Sequence, residues 1–285
     1  MTTLATSLAL ASAVMWGLSD FGAGLMTRRL SALTTVAWTQ AFGLVALALA
    51  LLVTRTPIHL GSWVGWAMFA ALAGTSGLAF FYEALATGTM GVVSPIASLG
   101  ALVPVLIALA GGEHPTAVQL LGMVIALGGV VAASGPELSG EGASPRSVLY
   151  AGLSGVCFGF AMYALARAAV TSPLLAVAGM RVTTVAALGL ASLVALALGR
   201  RAPVGRIPTS WLGWAALVGV GDAGANLAYS YATTKGLISL SVVLGSLYPV
   251  FTVLAAVIVL RERMKPVQVV GVALALAGIT LVSLS

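Results

Sequence analysis

The chain has few charged residues and a single cysteine, and each shortage narrows the class of protein. Lys and Arg account for 13 of the 285 residues and Asp and Glu for 7, so 7% of the chain is charged. A soluble domain carries about 25% charged residues, and this chain has too few to cover a water-facing surface. Its only cysteine, Cys157, excludes an internal disulfide framework and leaves the redox compartment open.

Residues that usually bind metals or act as nucleophiles are also scarce. The two histidines, His59 and His114, are in predicted loops and have no Cys or acidic partner at ligand spacing. No Ser–His–Asp or Cys–His set indicates a nucleophile. The stretch "GVGDAG" (Gly219–Gly224) spells GxGxxG, but a dinucleotide site requires a preceding strand, and this motif lies inside an apolar run of helix length. The sequence therefore predicts no metal and no cofactor, and we interpret these glycines as sites of close helix approach or of a local kink beside Asp222.

Hydrophobic residues make up 60% of the chain, and the mean hydropathy is +1.10. About 20 mostly apolar residues cross a bilayer as a helix, and ten segments fit that description. None shows the period-2 alternation of a barrel strand, so we predict an all-α integral membrane protein with ten transmembrane helices. The segments are 3–26, 32–53, 62–86, 90–110, 117–134, 147–170, 174–198, 210–233, 237–259 and 266–284.

The net charge of +6 comes from Lys and Arg scattered at the ends of these segments. Because there is no basic stripe, the pattern indicates contact with lipid headgroups rather than nucleic acid. The early "ALASAV" resembles a signal-peptide cleavage site, but no Lys or Arg precedes it, and Trp16 and Asp20 follow in the same run. We interpret this run as the first helix of a multi-pass protein, and we expect a bacterial inner membrane.

The chain also repeats itself once. The stretch "GGEHPTAVQLLG" (Gly111–Gly122) returns as "RERMKPVQVVG" (Arg261–Gly271), with Glu113 on Glu262. Three further matches are "SWVGW" (Ser62–Trp66) with "SWLGW" (Ser210–Trp214), "GVVSPIASLGALVPV" (Gly91–Val105) with "GLISLSVVLGSLYPV" (Gly236–Val250), and "SAVMWG" (Ser12–Gly17) with "SGVCFG" (Ser154–Gly159). The matches predict two five-helix repeats, 1–134 and 147–285, joined by a Gly-, Ser- and Pro-rich linker at 135–146.

An odd number of spans in each repeat makes the second repeat enter the membrane from the opposite side. Inverted repeats of this kind are the plan of many secondary transporters, whose substrate site lies between the halves. We interpret the repeated Glu113 and Glu262 as turn residues near positive helix N-termini, with ion or substrate binding as the alternative. Pro115 and Pro266 are expected just inside those helices, and Pro95, Pro104 and Pro249 are expected to bend helices around a cavity.

These residues resemble an EamA-type carrier of the drug/metabolite transporter superfamily. The resemblance rests on "FYEALATGTMGVVSPIASLGALVPVL" and "GEHPTAVQLLGMVIALGGV" in the first half. It is repeated by "YSYATTKGLISLSVVLGSLYPVF" and "RERMKPVQVVGVALALAGI" in the second. The resemblance implies a central cavity lined by helices one to four and six to nine, with five and ten outside. It also implies transport of a small metabolite, but not which one, because the charges inside the predicted helices depart from the commonest pattern.

Four ionisable residues lie well inside predicted helices: Asp20, Glu83, Arg181 and Asp222. Placing an ionisable side chain inside a membrane costs free energy, so each of these residues is a candidate functional residue. Either Arg181 pairs with acids and only fixes the packing, or the cluster faces a wet cavity and binds substrate or protons. With helix-face neighbours and inner aromatic residues added, the predicted substrate-binding set is Trp16, Asp20, Trp38, Gln40, Tyr82, Glu83, Tyr163, Arg181, Asp222, Asn226 and Tyr229. Tyr231 is a further candidate, whereas Trp63, Trp66, Trp211 and Trp214 fit interfacial anchors.

The distribution of positive charge predicts an orientation. The loops after helices one, five, seven and nine hold nine Lys or Arg, and those after two, six and eight hold three. The richer set belongs in the cytoplasm, which places both termini outside, although the carriers that the chain resembles are often drawn the other way.

Together these features favour a secondary transporter, an exporter or exchanger of an amino acid, amine or drug-like metabolite by alternating access. Protons are the candidate coupling ion, and the expected state is a monomer or loose homodimer. The alternatives are a membrane-embedded enzyme that uses intramembrane carboxylates and a passive channel.

Overall fold

The computed structural model describes residues 2–87, 90–135, 144–200, 202–261 and 263–283, without the side chains of Met90 and Gly91. Most of the predicted linker, the repeated Glu262 and one of the counted arginines, Arg201, lie outside the described residues. Within these ranges the chain forms helices and connecting loops, and no strand occurs. The all-α prediction is confirmed.

The described chain forms twelve α-helices and one 3₁₀ turn at Leu99–Ala101. In chain order the α-helices are α1 (Thr3–Thr27), α2 (Ala32–Thr54), α3 (Ser62–Thr87), α4 (Met90–Ser98), α5 (Leu102–Ala110), α6 (Ala117–Ala133), α7 (Pro145–Ala169), α8 (Pro173–Ala197), α9 (Thr209–Lys235), α10 (Ile238–Gly245), α11 (Tyr248–Leu260) and α12 (Pro266–Ser283). Taking α4 with α5 and α10 with α11, these helices cover all ten predicted segments, with ends that differ by no more than two residues.

Eight helical stretches among the described residues are long and apolar enough to cross a membrane. They are α1, α2, α3, α7, α8, α12, Val92–Ala110 and Ile238–Leu260. The short α6 has 17 residues, and α9 has 27 but carries Asp222 and Asn226, which lower its hydropathy. The structure therefore supports a multi-pass membrane protein with eight candidate spans and one shorter apolar helix.

The repeated stretches, Gly111–Gly122 and Arg261–Gly271, contain the first residues of α6 and α12. Thr116 caps α6, and the side chain of Gln119 accepts a hydrogen bond from the Thr116 N–H at 3.0 Å. The matching Gln268 accepts from the Lys265 N–H at 2.9 Å in front of α12. Each glutamine satisfies a backbone donor that the helix leaves free. Pro115 lies before the Thr116 cap rather than inside the helix, which corrects the predicted position by two residues.

The fourth and ninth predicted segments are each broken near the middle. The 3₁₀ turn separates α4 from α5, and Ser246 and Leu247 separate α10 from α11. Pro104 and Pro249 follow these breaks within the first turn of α5 and α11, where a residue without an N–H is tolerated. The bends predicted at Pro104 and Pro249 are thus breaks in the helix, at equivalent places in the two repeats, whereas Pro95 lies inside α4.

The helices pack in a pattern that is the same when the two halves are exchanged. The long pair α3 and α7 corresponds to α1 and α9, and α2 with α9 corresponds to α8 with α3. Two further pairs, α2 with α8 and α6 with α12, join equivalent helices from each half. Such a set of contacts has approximate two-fold symmetry between the repeats.

Small residues allow the closest of these approaches. A Cβ on Gly129 or Gly278 of the α6–α12 pair would overlap the backbone of the facing helix. In membranes helices associate through such close van der Waals contact, because lipid offers no hydrophobic drive for it. Gly219 of the GxGxxG stretch packs its Cα against Thr39 and Gly43 of α2, as predicted for a packing glycine.

Hydrogen bonds between segments define the two ends of the bundle. At one end, which we call the Thr2 end, the hydroxyl of Thr2 donates to the carbonyl of Lys235, joining the start of α1 to the end of α9. At the opposite end, the Gly205 end, the N–H of Gly205 before α9 donates to Thr34 of α2 at 2.8 Å. The helices α1 and α9 therefore run antiparallel, as do α3 and α7, where Ser144 donates to the carbonyl of Thr87.

Candidate functional site

Two adjoining cavities of about 310 Å³ each lie among the described helices in the middle of the bundle. Both are within the size range of small-molecule sites. The residues that line both are Trp16, Asp20, Leu78, Phe158, Ala161, Met180, Asp222 and Asn226. The walls come from α1, α2, α3, α7, α8 and α9, and from the broken pair of helices in each half.

The repeat matches place equivalent residues of the two halves around the same space. The match of Ser12–Gly17 with Ser154–Gly159 pairs Trp16 with Phe158, and both line both cavities. Extending the offsets of these matches along the first and third helices of each half gives three more pairs that line one or both cavities, namely Asp20 with Met162, Gly74 with Asp222, and Leu78 with Asn226. Gln40 and Arg181, at corresponding positions on the second helix of each half, line the first cavity. The cavities therefore lie at the interface of the repeats.

Arg181 lies at the centre of the polar wall. One of its terminal nitrogens is 2.5 Å from Oδ2 of Asp222, and the other donates to the side-chain oxygen of Gln40. Asn226, one turn further along α9, donates to the carbonyl oxygen of Asp222 at 2.8 Å and to its Oδ1 at 3.3 Å. Three helices are thereby joined by one network, and its positive and negative charges cancel.

The side chain of Arg181 is only 4% exposed, whereas that of Asp222 is 24% exposed. Nε of Arg181 is buried and has no hydrogen-bond partner among the described residues. The arginine therefore contributes little surface to the wall of the first cavity, while the carboxylate of Asp222 and the amide of Asn226 contribute more.

Asp20 presents a carboxylate that the protein leaves without a partner. It lines both cavities and its side chain is exposed. Among the described residues, no hydrogen bond or ion pair is made to it. Asp222 lies close enough to interact with it electrostatically, and that interaction is repulsive. A carboxylate in this position attracts a positive group.

Aromatic rings lie beside this carboxylate. Trp16 is one helical turn before Asp20, and its ring centroid is 5.5 Å from that of Tyr229 and 6.4 Å from that of Tyr248. Tyr229 is fully buried and donates its hydroxyl to the carbonyl of Met162 at 3.1 Å. The rings of Trp16 and Tyr248 are partly exposed and line the second cavity, so part of each ring can contact a ligand.

Seven of the eleven predicted substrate-binding residues line these cavities, and four do not. Trp38 donates to the carbonyl of Gly205 at the Gly205 end, and Tyr163 packs edge-on to Trp66 near the outside. Tyr82 lies within electrostatic range of Asp20 but outside both linings. Glu83, the next residue on α3, is exposed on another face, because adjacent residues on a helix point about 100° apart. Tyr231 is 39% exposed on α9 and also lies outside the linings.

Two aromatic residues of the lining, Phe158 and Tyr248, are absent from the predicted set. Phe158 is the repeat equivalent of Trp16, so the alignment contains the signal that identifies it. Tyr248 is the first residue of α11, directly after the interruption at Ser246 and Leu247, and it lines the second cavity from this position. That position depends on the break, which periodicity alone does not predict.

Glu113 binds a helix N-terminus, but in the other half of the protein. Its carboxylate accepts hydrogen bonds from the N–H groups of Ile238 and Ser239 at 2.7 and 3.0 Å, and from the Ser239 hydroxyl at 2.6 Å. These are the first residues of α10, 125 positions away in the chain. Glu113 therefore fastens the two repeats together at the Thr2 end, rather than capping its own helix.

The bundle is tightly packed at this same end. Every residue from Ser239 to Gly245 is buried, as are Leu174–Ala178 at the start of α8 and Ala164–Ala166 near the end of α7. By contrast, α11 has only Val250 and Ala255 buried. The Thr2 end is therefore closely packed, with these buried side chains coming from the second half and the Glu113 contact from the first.

The comparisons agree with the two-repeat architecture. Residues 3–135 and 145–284 match the model of the EamA-like transporter family. A solved crystal structure of a protein is similar in fold, with a TM-score of 0.79 and 22% sequence identity over 98% of each chain. Among curated proteins, none matches the sequence. Since the family model covers nearly the whole chain in two copies, this multi-pass membrane protein belongs to the EamA-like transporter family.

Proposed function

We propose that this protein is a secondary active transporter that moves a small organic solute by alternating access. The observation that carries the proposal is the cavity at the repeat interface, which combines an unpartnered carboxylate with partly exposed aromatic rings. Inverted-repeat transporters bind substrate at this position, near the middle of the membrane. The proposed contacts to the solute come from Trp16, Asp20, Gln40, Asp222 and Asn226, and the buried Tyr229 packs against Trp16.

The proposed architecture has ten spans, formed by the repeats 1–134 and 147–285 with 135–146 as the linker. The short α6 and the less apolar α9 are added to the eight candidate spans to give these ten. The α9 helix is surrounded by α1, α2, α8 and α10, so its polar residues face protein rather than lipid. The two repeats are inverted in this arrangement, because α1 starts at the Thr2 end and its equivalent α7 starts beside Thr87 at the Gly205 end.

Alternating access requires a cavity that is closed on one side at a time. Tight packing and the Glu113 contacts at the Thr2 end support this mechanism, because the same surfaces must separate to release solute there. The breaks beside Pro104 and Pro249 give each half a place to bend. The solute then meets the cavity from one side of the membrane and leaves on the other.

The Gly205 end is the cytoplasmic end in this proposal. Its described loops carry the larger share of positive charge, including Arg28, Arg29, Arg206 and Lys265. The structure then corresponds to a state open toward the cytoplasm, and the direction of transport is export or exchange. We propose a bacterial inner membrane, a monomer or loose homodimer, and a proton as coupling ion, since the carboxylate of Asp20 can hold either a proton or a cationic group.

Counterflow in proteoliposomes tests the proposal. Vesicles containing the purified protein are loaded with an unlabelled amino acid, amine or drug-like solute, and uptake of the same labelled solute is measured. A transporter gives saturable uptake that the internal solute accelerates. A channel gives solute-independent conductance without saturation, and an enzyme gives chemical turnover without vectorial movement. Either of these results in place of counterflow would refute the proposal.

A further inference from the structure

We propose that the substrate is a small organic monocation with an apolar, aromatic-sized body, and that Asp20 is the residue that binds its positive group. This inference rests on the transporter function proposed above and names the chemical class of its substrate. The relevant geometry is the unpartnered carboxylate of Asp20 beside the partly exposed rings of Trp16 and Tyr248.

The charges of the cavity favour a cation. Among the described residues that line the two cavities, the charged ones are Asp20, Arg181 and Asp222. Arg181 and Asp222 neutralise each other in an ion pair of 2.5 Å. One negative charge therefore remains, on Asp20, and a bound monocation would balance it.

The surfaces beside Asp20 fit the same ligand. A cation within about 6 Å of an aromatic face is attracted by the ring quadrupole, and Trp16 and Tyr248 present such faces in the second cavity. An ammonium group held by Asp20 can therefore also contact a ring. Both interactions favour a positive group over a negative one.

Much of the rest of the second cavity is apolar, with Ser98 and Ser246 adding uncharged hydroxyl groups. In the repeat alignment the partner of Asp20 is Met162 and the partner of Trp16 is Phe158, so the carboxylate has no counterpart in the second half. Leu165, Ala97 and Ala101 complete this side of the second cavity. A ligand with one charged end and one apolar end matches the two sides, whereas a ligand charged at both ends would leave one charge against apolar side chains.

A zwitterionic amino acid fits less well, because the single arginine cannot bind its carboxylate. Arg181 already donates to Gln40 and Asp222, and its side chain is 4% exposed. Its remaining Nε is buried. The carboxylate of a bound amino acid would then face Asp20 or Asp222 with no positive partner, and repulsion would weaken its binding.

Three probes of similar shape separate these possibilities. Phenethylamine carries a positive charge alone, phenylalanine carries both charges, and 3-phenylpropionate carries a negative charge alone. Binding of each to the purified protein in detergent is measured by isothermal titration calorimetry. We expect phenethylamine to bind at least tenfold more tightly than phenylalanine, and 3-phenylpropionate to give no heat of binding.

Asp20→Asn is the decisive variant, and Glu83→Gln is its matched control. Both remove one carboxylate from inside a helix, but Glu83 is exposed outside the cavities. We expect Asp20→Asn to weaken phenethylamine binding at least tenfold and Glu83→Gln to change it less than twofold. Asp20→Glu keeps the charge and should retain part of the binding, which separates loss of charge from a folding defect.

Two results would overturn the inference. One is equal or tighter binding of phenylalanine or 3-phenylpropionate, and the other is full phenethylamine binding by Asp20→Asn. If counterflow is nevertheless observed with an anion or a zwitterion, the transporter function stands and the cation assignment fails. If amine binds at Asp20 but no solute gives counterflow, the cation site stands and the transporter function fails.

Discussion

Arg181 of α8 and Asp222 of α9 form an ion pair of 2.5 Å inside the bundle, and Gln40 of α2 completes the contact. The sequence left open whether Arg181 pairs with an acid for packing or faces a wet cavity. The structure combines the two readings, because the pair joins helices on its buried side while Asp222 and Asn226 face the cavity.

Removing Arg181 should destabilise the protein more than removing the whole pair. Arg181→Met leaves Asp222 without its counter-ion, and breaking a buried pair in this way costs about 3–5 kcal/mol. The double variant Arg181→Met with Asp222→Asn removes both charges and should recover most of the lost stability. Thermal unfolding in detergent measures both, and a double variant less stable than Arg181→Met would contradict this account.

Loss of the Glu113 carboxylate should open the Thr2 end. Glu113→Ala removes three hydrogen bonds to the start of α10, each worth about 1–3 kcal/mol when the acceptor is charged. A cysteine placed at the buried Ser241, in a Cys157→Ala background, should then react faster with a water-soluble maleimide. His114→Ala is the control, because His114 is the exposed neighbour. Equal labelling rates in the two variants would show that Glu113 does not hold this end closed.

The α6–α12 contact should be sensitive to side-chain volume at one glycine and insensitive at the next. A Cβ at Gly129 would overlap Ala275, whereas a Cβ at Gly128 meets nothing within 4 Å. Gly129→Leu should therefore cost about 1–3 kcal/mol or more through overpacking, and Gly128→Leu should be close to neutral. Thermal unfolding of the two variants under the same detergent conditions checks the difference, and similar melting temperatures would count against the packing.

Filling the cavity from α3 should abolish binding without unfolding the protein. Gly74 lines the first cavity, and its Cβ would have only Ala161 nearby, at 3.8 Å. Gly74→Trp is expected to occupy the space used by the solute and to remove counterflow. Gly65→Trp places the same ring on the same helix at an exposed position with open space, and it should transport normally. Normal counterflow by Gly74→Trp would place the substrate elsewhere.

The sequence predicts the helices well because the membrane sets their length and composition. Segment ends agree within two residues, and the structure places the capping residues Thr116, Ser144 and Ser172 directly before the helices α6, α7 and α8. The repeat predicts which helices are equivalent. The repeat does not predict that Glu113 reaches α10, because that contact depends on how two distant segments approach in space.

The sequence predicted only part of the candidate site, because a sequence pattern identifies unusual residues in a helix but not the direction in which each side chain points. A charge within an apolar run is a strong signal, and it identified Asp20, Arg181 and Asp222, which line the cavities. Glu83 gives the same signal but faces away, because one residue along a helix changes the face. Aromatic residues are common in packing, so Trp38 and Tyr163 could not be separated from Trp16 until the helices were placed.

Because the repeat supplies every lining position twice, the two copies are free to take on different tasks. In this chain one member of a pair is Asp222 and the other is Gly74, and one is Asp20 and the other Met162. Exchanging residues within a pair would move the charged side chains to the opposite side of the cavity, while the helices stay the same. A duplicated membrane protein can thus acquire a new solute by altering one copy, with the other preserving the fold.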